Sequence, residues 1–432
     1  MEQFNPGKVL HDSYGTPIKI VSYIADGGQG YVYKVSYKGE MKALKWYKES
    51  ALKDPKAFYE NLKRNMERGS PDKCFLWPQA VTGKEEGSFG YVMDLKPDDY
   101  VELADVLLTN GGGGFRSFKA VTEACIQIVS AFRKLHGIGY SYQDMNSGNF
   151  FIHPGTGHVL IGDNDNVAPN ETYTGILGTP QFMAPEIVMG QAKPGVHTDE
   201  FSLAIVLFLI LCANHPLEGK HWVCPCLTPE HEKALYGSSA LFIFDPADSS
   251  NRPVKGIHNN VLKRWNWLPE YLKDAFRTAF SQEAIRNPNK RLKEVNWLKV
   301  LLRFQSDIVR CPSCRNEIFI INAASTKCEK CGRVYNVQHT LGLYEYAVTA
   351  AKNTRIYKCQ LGICNADEAL IPAATVVARQ DDPNVLGLMN TSGETVVGIT
   401  PSGKQNMVKP MEVIPLKTGI KVKIFNGEIE IH

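Results

Sequence analysis

One short stretch constrains this chain more than any other: Tyr142-Gln143-Asp144-Met145-Asn146-Ser147-Gly148-Asn149, running straight into the apolar Phe150-Phe151-Ile152. It sets a carboxylate, Asp144, five residues before a carboxamide, Asn149. After a turn at Pro154-Gly155 comes a second β-type run, Val159-Leu160-Ile161, which ends on Asp163, fourteen residues past Asn149. Hard oxygen ligands of this kind suit magnesium. A carboxylate held apart from them can orient a hydroxyl or accept its proton. Asp165, two residues on in Asp163-Asn164-Asp165, competes with Asp163 for the metal role or assists it.

The rest of the first 305 residues extends this into an ordered set that resembles the eukaryotic-like protein kinases. In IADGGQGYVYKV, glycines lie between two β-type runs, where a hairpin's backbone amides can approach phosphate oxygens. Set against G-x-G-x-x-G-x-V on Gly30 and Val32, Gly27 holds the second glycine and Ala25 replaces the first, with Gly28 beside them. Thirteen residues after Val32, Lys45 ends the run Ala43-Leu44-Lys45, where the resemblance implies a cation for the α- and β-phosphates, paired with a helix carboxylate. Glu60, in the helical stretch FYENLKR, is the expected partner, and Glu67 is the alternative two turns on. GTPQFMAPE, residues 178–186, is the most specific string and resembles the end of a kinase activation segment. The resemblance then implies a Glu186–Arg291 pair, Asp199 bracing the catalytic loop from a buried helix, and Asn149 and Asp163 holding Mg²⁺. It also implies Met93 at the back of an adenine pocket, a hinge of Asp94, Leu95 and Lys96, and a ring held between Ala43 and Phe151.

The pattern also departs from the family. Gln143 stands where an arginine commonly holds a phosphorylated activation loop, so Thr172, Tyr173, Thr174 and Thr179 are candidate phosphosites with reduced control over activity. Tyr142 replaces a histidine, and Asn146 stands where serine/threonine kinases place a lysine. The expected activity is ATP-dependent transfer to a protein Ser/Thr hydroxyl, in the non-specific serine/threonine class, with autophosphorylation. The rival reading is a pseudokinase, an ATP-binding scaffold that docks partners. A small-molecule kinase is disfavoured, because GTPQFMAPE builds a peptide platform in the family.

Two CxxC pairs, Cys311/Cys314 and Cys328/Cys331, stand thirteen residues apart, the spacing of a structural four-cysteine zinc ribbon. Lys327, Lys330 and Arg333 offset the negative sulfurs, and the remaining cysteines, Cys224 and Cys226 among them, read as buried or incidental. From about residue 341, short β-type runs (375–378, 395–399, 412–415 and 421–425) punctuated by Gly, Pro, Asn and Ser indicate a small all-β module. Its spacing weakly resembles a forkhead-associated sandwich without that family's phosphate-binding elements, which favours docking over phosphopeptide reading.

The expected architecture is α+β: a bilobal kinase fold (1–95 and 96–305), a zinc ribbon (306–340) and an all-β domain (341–432). Kinase, ribbon and tail together, with FLWP (75–78) and the run IGDNDNVAP, resemble the kinase of the tellurite-resistance-associated TerY phosphorylation triad. That resemblance implies a von Willebrand A domain protein and a PP2C-type phosphatase as partners, substrate or antagonist. A net charge of only +3, without a basic stripe, argues against nucleic acid. Without a visible signal peptide or an apolar run of spanning length, the expected location is the cytoplasm.

Overall fold

The computed structural model describes residues 3–84, 87–108, 114–172, 178–224, 226–321, 324–363 and 365–432. The chain divides into two compact units. The first holds 1–116, 134–267 and 276–292; the second holds 117–133, 268–275 and 293–432.

In the first unit the alternating N-terminal runs become an antiparallel sheet. Its strands are β1 (Val9–His11), β2 (Pro17–Asp26), β3 (Gly30–Tyr37), β4 (Glu40–Tyr47), β5 (Ala80–Val81) and β6 (Gly90–Asp94), in the order β1-β2-β3-β4-β6-β5. β4 is central and buried on both faces from Ala43 to Tyr47. Leu44 and Trp46 join one apolar cluster, while Ala43 and Tyr47 join the other, formed with helix α1 (Pro55–Arg68). A strand's two-residue period therefore puts Lys45 on the α1 face. α1 starts where Asp54 accepts from the Ala57 amide and Pro55 presets φ, and it stops at Gly69, whose φ is 80°. Its inward face carries Phe58, Asn61, Leu62 and Asn65.

FLWP threads behind this helix. The Leu76 amide donates to the Ile161 carbonyl at 2.8 Å, and the Trp77 indole donates to the Asn65 carbonyl at 2.8 Å. Further along, the apolar stretch expected to be a buried helix is one, Val196–Cys212, buried nearly all round. It packs into an aromatic core where Phe208 meets Phe242, Phe276 and Phe280 edge-on, with centroids 5.6, 5.0 and 6.2 Å apart.

The second unit is mainly sheet. Two small hairpins, Ile308–Arg310 with Glu317–Phe319 and Ser325–Lys327 with Val334–Asn336, carry the paired cysteines at their turns. Glu317 accepts from the Phe118 amide at 2.6 Å and the Lys119 amide at 3.3 Å, capping the helix that begins at Phe118. Residues 340–431 form a six-stranded and a four-stranded antiparallel sheet. Leu341, Val422 and Ile429 from one sheet share a single apolar core with Ile356, Val376 and Leu388 from the other. The four β-type runs read in the tail become strands 372–378, 396–399, 413–415 and 421–424.

Candidate active site

Strand pairing assembles the first half of the site. Val32 of β3 lies opposite Lys45, and Ala43 lies opposite Met93 of β6. Val32, Ala43, Met93, Leu95 and Phe151 fall into one apolar cluster, which brings the expected adenine-pocket residues together. Asp94 leaves β6 exposed and accepts from the Lys42 ammonium at 2.7 Å, while Lys96 donates to the Tyr100 carbonyl at 2.9 Å.

The glycine turn joins β2 to β3, with Ala25 opposite Val32 and the Gly27 amide donating to the Gly30 carbonyl at 2.9 Å. Gly28 has open space around it, but a Cβ at Gly30 would stand 2.3 Å from the Trp46 carbonyl oxygen. Close strand packing alone therefore requires glycine at 30.

Lys45 is nearly buried, 6% exposed. Its ammonium lies 3.1 Å from Asp163 Oδ1, 2.8 Å from Asp165 Oδ2 and 3.2 Å from Gln29 Oε1. Burial by itself would depress the lysine, but the Asp165 and Asp163 carboxylates more than offset it and hold the ammonium above the usual lysine range. The expected pair with Glu60 does not form. Glu60 and Glu67 are exposed, and α1 instead turns Asn61 and Asn65 inward. The reason is helical phase: the apolar Phe58 and Leu62 must face the sheet, and at 100° per residue the glutamates then point away.

The strands Phe150–Ile152 and Val159–Ile161 pair antiparallel, with Phe150 opposite Ile161, which brings the two halves of the acidic motif side by side. Asn149 Nδ2 donates to the Asp144 carbonyl at 2.8 Å, and the Gly162 amide donates to the Asn149 carbonyl at 2.8 Å. Asp163 has a left-handed backbone, φ 45°, which turns its carboxylate toward Lys45. Burial first, and then the neighbouring Asp163 charge, lift the Asp144 carboxyl above its ordinary value. Asp163 is lifted as well, by burial and by Asp165, with Lys45 opposing. Two carboxylates on one lysine, with Asp144 close enough to feel the Asp163 charge, leave surplus negative charge, and this donor set fits a divalent cation held by Asn149 and Asp163.

A frame of hydrogen bonds holds the loop. Asp199 accepts from the Tyr142 amide at 2.6 Å and the Gln143 amide at 3.1 Å, and it lies 3.0 Å from His136 Nε2. The Tyr142 hydroxyl donates to the Gly162 carbonyl. Glu186 and Arg291 form the expected pair through two bonds, 2.8 and 2.7 Å. Gln143 has a part that sequence reasoning missed: its side-chain Nε2 donates to the Thr172 carbonyl at 2.7 Å, gripping the main chain where an arginine would await a phosphate. Thr172 and Thr179 are exposed, whereas Tyr173 and Thr174 lie outside the described residues.

In the second unit the sulfurs of Cys311, Cys314, Cys328 and Cys331 all lie within 4.8 Å of one another. Backbone amides of Cys314 and Ser313 pull the Cys311 thiol down to about 6. Cys314 has the Asn316 amide beside it, yet burial and the neighbouring sulfurs push it up to about 11. Four thiols so close cannot all ionise without a cation among them, and a tetrahedral set of four thiolates fits zinc.

Comparison with known proteins bears on this fold and site. Residues 19–226 match the family model described as the protein kinase domain. The chain carries that domain, in an α+β protein kinase fold followed by the four-cysteine cluster and a sheet-rich C-terminal region. It is 34% identical over 91 residues to a probable cAMP-dependent protein kinase catalytic subunit of Encephalitozoon cuniculi, covering 21% of this chain and 28% of that protein. It is 26% identical over 196 residues to calcium-dependent protein kinase 11 of Oryza sativa, covering 44% of this chain and 28% of that protein. The chain thus spans less than a third of the length of these relatives. Among solved structures it is similar to the PknI kinase domain of Mycobacterium tuberculosis, with a TM-score of 0.45, 16% identity, and coverage of 69% of this chain and 98% of that one. Among the described residues no helix is long and apolar enough to cross a membrane.

Proposed function

We propose that this chain transfers the γ-phosphate of ATP to a Ser/Thr hydroxyl of a protein, itself included, through Lys45, Asp144, Asn149 and Asp163. One observation carries the reading: the Lys45 ammonium sits 3.1 Å from Asp163, whose neighbour Gly162 is bonded to the Asn149 carbonyl while the Asn149 side chain is bonded to the Asp144 backbone, which supports a common site for motif residues up to 118 positions apart. Lys45 orients the α- and β-phosphates beneath the turn of Gly27, Gly28 and Gly30. Asn149 and Asp163 would hold magnesium, which supplies charge neutralisation at the β- and γ-phosphates when bound. Asp144 orients the acceptor hydroxyl and takes its proton. Little covalent work remains for the protein, so the rate comes from positioning. The adenine ring packs among Val32, Ala43, Met93 and Phe151, against the hinge of Asp94, Leu95 and Lys96.

Zinc on the four cysteines is structural, since ligation by four thiolates leaves no open position. The β module docks partners, and a von Willebrand A domain protein and a PP2C-type phosphatase are the partners the sequence resemblance supports. Cysteines kept as thiolates rather than disulfides suit a reducing compartment, and the cytoplasm is the location this reading implies.

The second reading, an ATP-binding scaffold, is favoured by Asn146 in place of a lysine and by the outward-facing Glu60. The two separate on incubation of the full chain with γ-labelled ATP, magnesium and the von Willebrand A domain protein, followed by mass spectrometry of modified side chains. Label well above an Asp144→Asn control is the expected result. Label equal to that control would leave only the scaffold.

A further inference from the structure

We infer that Asp165 is a positioning residue for Lys45, standing in for the helix carboxylate that α1 does not supply. The inference rests on the proposed function and names a further residue of that site. Of the two carboxylates on Lys45, Asp163 has a side chain 40% exposed, whereas that of Asp165 is 0% exposed and closer, 2.8 Å against 3.1 Å. The difference divides their tasks. Asp163 can release the ammonium and turn to a cation when nucleotide enters. Asp165 is shut off from water, so among the described residues its charged partner is Lys45, and a buried carboxylate keeps such a partner.

Its surroundings are built for the purpose. The Tyr47 hydroxyl, from the same strand as Lys45, donates to Asp165 Oδ2. α1 grips the main chain around it: Asn61 Nδ2 donates to the Val167 carbonyl at 2.8 Å and more weakly to the Asp165 carbonyl at 3.4 Å, and Asn65 Nδ2 donates to the Val167 carbonyl at 2.7 Å. Asn164 anchors the other side, donating to the Leu76 carbonyl at 2.9 Å and the Ile161 carbonyl at 2.8 Å. The helix therefore acts on Lys45 at one remove, by placing the segment whose side chain holds the ammonium.

The test uses the full chain and reads MgATP and adenosine affinity by isothermal titration calorimetry. Lys45 acts on phosphates and adenosine has none, so a lost anchor and a collapsed lobe give different results. Asp165→Asn is expected to weaken MgATP binding by about 10- to 100-fold, the usual cost of losing a supporting partner, and to leave adenosine within about twofold. In a Lys45→Met background, where no ammonium remains to be positioned, Asp165→Asn is expected to change MgATP affinity by less than about twofold. Unchanged MgATP affinity in Asp165→Asn alone, equal loss of both ligands, or the same loss from Asp165→Asn in the Lys45→Met background overturns the inference. A wild-type chain that binds MgATP but transfers no phosphate overturns the proposed transfer alone, because the affinity split is read without it. A wild-type chain that binds neither ligand overturns both.

Discussion

Removing the carboxylate of Glu186 should destabilise the first unit markedly. The Arg291 side chain is 1% exposed and that of Glu186 16% exposed, and they meet in a fork of 2.8 and 2.7 Å. Glu186→Ala leaves the guanidinium buried with the His197 carbonyl at 2.7 Å, a long contact to the Ala284 carbonyl at 3.4 Å and the Phe201 ring, its centroid 5.1 Å away, but no counter-charge among the described residues. Breaking a buried pair from one side costs about 3–5 kcal/mol, and the partial exposure of Glu186 places this case near the low end. About 3 kcal/mol corresponds to a fall in Tm of about 6–12 °C for a domain of this size class. Calorimetry of Glu186→Ala, Arg291→Met and the double variant gives the pairwise term, which should reach about 2 kcal/mol, with the double variant more stable than the singles predict. Raising sodium chloride should leave the difference largely intact, since buried pairs are weakly screened. A Tm shift below about 2 °C for Glu186→Ala, or a cycle additive within about 0.5 kcal/mol, would refute the reasoning.

Other expectations follow from single sites. Gly30→Ala should lower stability by about 1–3 kcal/mol in urea titration, because its Cβ meets the Trp46 carbonyl at 2.3 Å, while Gly28→Ala, in open space, should change stability by less than about 1 kcal/mol. Metal analysis should find one zinc per chain. Cys314→Ser or strong chelation should remove it and unfold the two hairpins, seen as loss of amide protection over residues 308–336, and full protection without metal would contradict a structural site. Asp307, buried and bonded to the Tyr271 hydroxyl at 2.6 Å, is raised from 3.8 to about 6, chiefly by burial, with Tyr271 and Arg303 opposing. A carboxyl raised in the folded state contributes stability that is present in acid and lost as pH climbs through about 6. Asp307→Asn should therefore gain up to about 3 kcal/mol relative to wild type between pH 4 and 7, and an unchanged difference across that range would contradict it.

Much of the site was legible because its parts are local. Asp144 and Asn149 lie in one loop, Asp163 follows one hairpin later, and each CxxC pair sits on one tight turn, so spacing alone brings those groups into range. The same holds for the strand that ends near Lys45 and for the buried helix 196–212, whose apolar run admits no exposed face. The expected carboxylate partner on α1 failed for the opposite reason. A glutamate in a helical stretch shows that it is on the helix, but which face turns inward depends on the sheet opposite it.

Order and spacing along the chain, then, were enough to predict a Gly-rich hairpin, a lysine strand, an acidic loop and a four-cysteine cluster, since short-range geometry leaves these groups few alternatives. Long-range packing decided the rest. Asp165 rather than Glu60 meets Lys45, and Gln143 holds a carbonyl rather than a phosphate. Those pairings join residues 120 and 29 positions apart, and they exist only once the apolar faces of strand and helix have chosen which side to bury.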